Sequence, residues 1–146
     1  MTEKKQLTPK KEKGFTLLEI LMVVVIIGIL AVLIVPNIVG RGEEARITAT
    51  KSDLRTIGNA LEMYRLDNSY YPSTSQGLEA LVSEPSGIPE ARNWRQGGYL
   101  KKKPVDQWSN DYVYTNEGMN FEIVSYGADG QEGGEGPGAD IYYTQL

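Results

Sequence analysis

Cysteine and histidine are both absent from the 146 residues. Without cysteine there is no disulfide framework and no lipid-modified cysteine anchor. Without histidine the usual zinc ligand and the usual near-neutral proton shuttle are missing. No nucleophile motif stands in their place, which argues against a hydrolase. Pairs of Asp and Glu remain as conceivable acid–base groups, but each candidate sits in a loop with another explanation. Basic charge is also in short supply. The net charge is -4, and an acidic exterior is a poor binder of nucleic-acid phosphates.

The charge that is basic gathers at the start. Residues 1–13 hold Lys4, Lys5, Lys10, Lys11 and Lys13 against Glu3 and Glu12. An apolar run then extends from Phe15 to Val35, interrupted only by Thr16 and one charge, Glu19. As a helix it would be about 31 Å long at about 1.5 Å per residue, which matches a hydrocarbon core of about 30 Å. A soluble core helix carries a polar stripe at helical spacing, and none follows Glu19. The reading is a transmembrane helix over 15–35. Lysines ahead of a span stay on the cytoplasmic side, so the C-terminus should lie outside. A secretory signal peptide would have a shorter apolar core with a small-residue cleavage site after it. Here the run ends at Val35-Pro36, and Gly14 stands before it.

Glu19 needs a partner. A carboxylate inside a bilayer costs at least about 2.5 kcal/mol even on the lenient insertion scale. It either takes up a proton or finds a cation.

Lys13-Gly14-Phe15-Thr16-Leu17-Leu18-Glu19 resembles the processing site of type IV pilins and type II secretion pseudopilins. In that superfamily a membrane-embedded prepilin peptidase cuts after the glycine and methylates the new amine. The resemblance implies a leader of residues 1–14, cleavage between Gly14 and Phe15, and N-methylation of Phe15. It also implies an assembly role for Glu19, facing the Phe15 amine of a neighbouring subunit and setting the register of a homopolymer.

Beyond the span, Pro36, Gly40 and Gly42 weaken the helix, yet Asn37-Ile38-Val39 carries no turn chemistry. The expectation is one helix to about Arg65, kinked or locally melted near Pro36. Within 36–65, Thr50, Leu54, Ile57, Leu61 and Tyr64 recur at spacings of four and three, one stripe of an amphipathic helix. The remaining 80 or so residues suffice for one small domain, and without disulfides such a domain needs another staple, such as a metal or oligomerisation. Thr74–Val82 reads as a short second helix, with Leu78, Leu81 and Val82 inward. Trp94 reads as a core anchor. Tyr99–Lys103, Asp111–Thr115 and Phe121–Tyr126 read as strands around a turn at 115–120. The fold class is therefore α+β: a long N-terminal helix on a small antiparallel sheet, with irregular loops.

Residues 127–140 hold six glycines and four acidic residues. Hard cations take carboxylate and carbonyl oxygens, and glycine lets backbone wrap around them. The spacing is not that of an EF-hand, and a flexible acidic surface loop is the alternative.

The second half narrows the resemblance. Tyr64-Arg65-Leu66-Asp67-Asn68-Ser69-Tyr70-Tyr71-Pro72, Thr74-Ser75-Gln76-Gly77-Leu78-Glu79-Ala80-Leu81, Asn93-Trp94-Arg95-Gln96-Gly97-Gly98-Tyr99-Leu100 and Ser125-Tyr126-Gly127-Ala128-Asp129-Gly130 are similar to the major pseudopilins of type II secretion. This resemblance implies a structural subunit of the periplasmic pseudopilus, held in the inner membrane before assembly, with its 66–146 domain in the periplasm. It also implies that the chain is not an enzyme. Its implied partners are copies of itself, minor pseudopilins, the prepilin peptidase, an inner-membrane assembly platform and the membrane, with no nucleic acid. The rival within the superfamily is a type IV pilus pilin for adhesion or motility; such pilins usually end in a disulfide-bounded loop. The resemblance also implies one calcium ion in the C-terminal loop. Its ligands would be Asp129, Asp140, the backbone carbonyls of Tyr126 and Gln131, and Glu135 or Glu132 as a replacement for family aspartates absent here. Asp106 and Trp108, where the family shows Asp-Pro-Trp-Gly, read as structural turn residues.

Overall fold

The computed structural model describes residues 14–146, without the side chains of 33–39. The expected leader lies outside the described residues, apart from Gly14. The chain forms two units, residues 1–39 and 40–146, each treated by itself below. The first element is α1, Leu17–Asn68, 52 residues long.

In the first unit, α1 begins with a reciprocal pair. Thr16, just ahead of the helix, accepts the Glu19 amide at its Oγ1 (3.2 Å). Glu19 reaches back and accepts the Thr16 amide at Oε2 (3.3 Å). This is a capping box, in which two amides without helical partners are satisfied together. From Leu17 to Val32 the side chains are exposed on every face, Leu17 at 89% and Val32 at 75%. Nothing in this unit covers them. Among the described residues no helix is long and apolar enough to cross a membrane; the span expected over 15–35 runs on into residues whose side chains lie outside the description. Pro36, Gly40 and Gly42 leave the helix unbroken. Proline removes one amide donor, and its neighbours offer the backbone no competing turn.

In the second unit, the expected stripe is the buried one: Thr50, Leu54, Ile57, Leu61 and Tyr64 are each 2% exposed or less. Full burial of each such apolar side chain is worth about 1.5–3 kcal/mol. α1 continues three residues past the expected end. Buried Asn68 donates to the Tyr64 carbonyl (3.1 Å) and the Tyr99 hydroxyl (3.1 Å), and accepts the Asn93 amide (3.0 Å). The chain turns away at Ser69, whose φ of 71° is left-handed, and its amide returns to the Arg65 carbonyl.

The expected helix over 74–82 is instead one 3-10 turn, Leu78–Leu81. Gly77, at φ 61°, ψ -166°, halts any helix upstream. Leu78 and Leu81 are buried as expected, Val82 only in part. Tyr99–Lys103 is not a strand. The Tyr99 and Leu100 amides both turn to the Leu81 carbonyl (2.7 and 2.9 Å), and Lys101, Lys102 and Lys103 are exposed. Trp94 is half-buried and donates Nε1 to the Ala80 carbonyl (2.9 Å).

The sheet is antiparallel in the order β1 (Val113–Asn116), β2 (Phe121–Ser125), β3 (Ile141–Tyr142). Tyr114 pairs with Ile123 and Ser125 with Ile141. β1 alternates: Tyr114 faces the core, Val113 and Thr115 face outward. Phe121 sits among Tyr71 (4.9 Å, edge-on) and Tyr143 (5.1 Å, stacked). The β1 edge is sewn to the loop after α1, with Tyr114 Oη and Asn116 Nδ2 donating to the Pro72 carbonyl (2.8 and 2.7 Å).

Candidate functional sites

The N-terminal site is open. Gly14 and Phe15 precede the first turn of α1, and Phe15 is 81% exposed. A Cβ at Gly14 would meet nothing within 4 Å. Nothing among the described residues therefore demands glycine at this position. The capping box holds the Glu19 carboxylate back toward the Thr16 amide, one peptide from the Phe15 nitrogen. The sequence signal for it, Ser/Thr-x-x-Glu/Gln ahead of an apolar run, stands in Thr16-Leu17-Leu18-Glu19, where the lone charge of Glu19 overshadows it.

The C-terminal loop begins where β2 ends. A 3-10 turn, Gly127–Asp129, carries Asp129 and ends in left-handed Gly130 (φ 65°, ψ 22°). Tyr126 stands at the head of this turn. Asp129 Oδ1 accepts the Gln131 amide (3.1 Å). Its Oδ2 lies against the far limb: a Cβ on Gly138 would stand 2.8 Å from it, and one on Gly134 3.1 Å. Asp140 Oδ2 accepts the Gly133 amide (3.0 Å) and the Tyr142 hydroxyl (3.0 Å). Both expected carboxylates thus converge on Gly133-Gly134, eleven residues of chain being folded back to bring them there. Asp140 Oδ1 is buried without a hydrogen-bond partner. A buried carboxylate oxygen left so is costly, and a hard cation is a group that relieves it. The donors here are all oxygen, so the residues fit calcium. Among the described residues no group of three acidic side chains could hold a metal, so Glu135 is not gathered with Asp129 and Asp140, and backbone carbonyls would have to complete a shell.

Elsewhere, Glu62 Oε1 accepts the Tyr71 hydroxyl (2.6 Å), while Arg65 holds Oε2 (3.0 Å). The Tyr71 bond and the Arg65 guanidinium hold the Glu62 carboxyl below its ordinary value. Burial, then the bond to Glu62, pushes Tyr71 up to about 12. Burial raises Tyr64 to about 12, and raises Tyr112 and Tyr114 further.

A long helix that opens on a capped, exposed apolar segment and continues into a small antiparallel α+β unit defines a pilin-like subunit. Comparison with known proteins narrows the class. Residues 9–35 match the prokaryotic N-terminal methylation motif, and residues 37–144 match the model for type II secretion system (T2SS), protein G. The chain is 53% identical to the type II secretion system core protein G of Pseudomonas aeruginosa over 134 residues, covering 90% of this chain and 94% of that one. It is 54% identical to the core protein G of Vibrio cholerae, with 90% and 91% covered. Its structure resembles the crystal structure of the major pseudopilin from the type 2 secretion system of enterohaemorrhagic Escherichia coli, with a TM-score of 0.66 and 43% identity over 76% of this chain and 96% of that one. The chain belongs to the type II secretion system protein G family, and its function is that of a pseudopilus subunit.

Proposed function

We propose that the chain is inserted as a precursor, cut after Gly14, methylated at Phe15, and stacked by its α1 helices into the periplasmic pseudopilus. The observation that supports this most is the succession of two matches, a methylation motif over 9–35 and a protein G region over 37–144. The all-round exposure of apolar side chains from Leu17 to Val32 supports it further. Lipid covers them before assembly, and neighbouring helices cover them after it. The lysine-rich leader stays in the cytoplasm and the second unit faces the periplasm. Growth of the stack helps push folded proteins through an outer-membrane channel, and the subunit itself performs no chemistry. A second element of the reading is one calcium ion at Asp129 and Asp140, which would tie the two limbs of the 127–140 loop. The carboxylates provide charge, and the glycine-rich backbone provides room for carbonyl ligands. The protein G match over 37–144 favours the pseudopilus over an adhesive or motile pilus.

The test is complementation of a strain lacking this chain. Wild type should restore release of an exoprotein into the medium, and purified subunit should begin at Phe15 with one added methyl group. A restored phenotype from subunit that begins after Val35 would overturn the reading.

A further inference from the structure

Asp106 is a buried carboxylate with no catalytic or ligand role assigned to it. It is 4% exposed, and its partners are donors of another kind than cations. Oδ1 accepts the Trp108 amide (3.0 Å) and the Asn110 amide (2.8 Å). Oδ2 accepts the hydroxyl of fully buried Ser125 (2.7 Å). Hydrogen bonds to a charged acceptor are about twice as strong as neutral ones, so two elements distant in sequence are fixed to one carboxyl group.

Both of those elements end on the C-terminal loop. Ser125 Oγ accepts the Gly127 amide (3.2 Å). Asn110 Nδ2 donates to the Gly127 carbonyl (2.9 Å). Gly127 therefore has both backbone polar groups held by residues that Asp106 holds. Asn110 also lies against the other end of the same turn, its Oδ1 3.1 Å from where a Cβ on Gly130 would stand. Asp129 sits between these two grips. Gly127 itself adopts φ 62°, and a Cβ there would stand 2.8 Å from the Pro137 carbonyl oxygen and 2.9 Å from that of Ala139. A shift at Gly127 is thus passed to the far limb, where Gly138 touches Asp129 and Asp140 follows.

We propose that Asp106 is the positioning residue of the 127–140 loop: through Ser125 and Asn110 it clamps Gly127 and so aims the Asp129 carboxylate at the cation without touching it. The inference rests on the calcium reading above. Loss of an outer partner of this type lowers metal affinity about 10- to 100-fold. Asp106→Asn keeps the one oxygen that takes both amides and puts an NH2 group where Ser125 finds its acceptor, so the Ser125 bond to the carboxylate is lost. Ser125→Ala removes the relay and leaves Asp106 in place.

The experiment uses the full chain in detergent micelles. Calcium chloride is titrated by calorimetry into wild type, Asp106→Asn, Ser125→Ala and the double variant. Trp94→Phe, which loses a hydrogen bond outside this network, reports the effect of lower stability alone. Amide hydrogen exchange over 127–133 is followed in chelator. The expected result is a dissociation constant raised about 10-fold or more in both single variants. The double variant should be no worse than the weaker single, since both break one relay. Trp94→Phe should bind as wild type does, and exchange over 127–133 should quicken in Asp106→Asn. Unchanged binding in Asp106→Asn and Ser125→Ala would overturn the proposal. Should wild type take up no calcium, the calcium reading falls and the exchange arm decides the positioning: faster exchange upholds the clamp, and unchanged exchange overturns it.

Discussion

Gly58 is a costly residue at mid-helix, about 1 kcal/mol worse than alanine on propensity alone. The structure supplies its reason. A Cβ there would run into the Tyr143 ring, which stacks on Phe121. Propensity and packing therefore predict opposite signs. Overpacking typically costs about 1–3 kcal/mol, so Gly58→Ala should lower the melting temperature. In a Tyr143→Ala background the same change should raise it. A single Gly58→Ala variant more stable than wild type would show that the ring swings aside freely. The tyrosines carry a second residue-scale expectation. Tyr64 and Tyr71 are raised from 10.0 to about 12 by burial first of all. A group raised on folding contributes stability below its unfolded value, lost as pH rises through the folded one. The unfolded chain gains tyrosinate from about pH 10, while the folded unit resists until about 12. Stability should fall across that window. Tyrosinate absorbance should rise in two phases, the second coincident with loss of circular dichroism. Nine tyrosines ionising together near pH 10 with the fold intact would contradict it.

At the scale of elements, α1 shows what a sequence can disclose. A stripe spaced by fours and threes needs only the helical period to be seen, and all five residues are buried. β3 has two residues, Ile141 and Tyr142, too few to show any period; only its partner β2 defines it. Tyr99–Lys103 has strand-like composition at its start, but the Tyr99 and Leu100 amides are both taken by one carbonyl, that of Leu81. Such a contact between loops leaves no mark in either segment. Of the proposed calcium ligands, Asp129 and Asp140 come from the resemblance, whereas the part proposed for Asp106 depends on a contact 19 residues away in Ser125. The capping box leads to a sharper test of Glu19 than deletion alone. Glutamine can occupy the third helical position of such a box but has no charge. If Glu19 faces the Phe15 amine of a neighbour in the proposed stack, Glu19→Gln should keep the start of α1 and the proposed cut after Gly14, yet fail to assemble, because that amine loses its counter-ion. Glu19→Ala removes both cap and charge. The measurement is filament yield beside the mass of the mature subunit. Normal filaments from Glu19→Gln would mean that the cap, not the charge, is what assembly uses.

At the scale of the whole molecule, the chain has no disulfide, and its second unit closes on a loop of glycine and acid. Six glycines within 127–140 leave that loop with high conformational freedom when unfolded, so something must compensate for ordering it. The Asp106 clamp fixes one end, and the Tyr142 bond to Asp140 fixes the other. Between them Asp140 Oδ1 stays buried and unpaired. Calcium would satisfy that oxygen and join the limbs. Because the unfolded chain lacks the site, binding adds stability by linkage, about 2.7 kcal/mol at calcium a hundredfold above the dissociation constant. A domain of about 100 residues responds by roughly 4–8 °C per kcal/mol. Two gathered carboxylates are a small charge for a calcium site, which points to binding toward the millimolar range of extracellular modules. The full chain in detergent should therefore melt several degrees higher in ten-millimolar-range calcium than in chelator, with magnesium at equal ionic strength giving little shift. Asp129→Ala should abolish the difference while melting near the wild-type value in chelator, since Asp129 is exposed and, among the described residues, holds only the Gln131 amide. Asp140→Asn should behave differently. It keeps an acceptor for Tyr142 and Gly133 and puts a neutral NH2 group where the unpaired carboxylate oxygen stands, so its melting temperature in chelator should rise above that of wild type even as the response to calcium disappears. Equal melting of wild type with and without calcium, together with an unchanged Asp140→Asn, would leave the loop an acidic surface feature with no ion to hold.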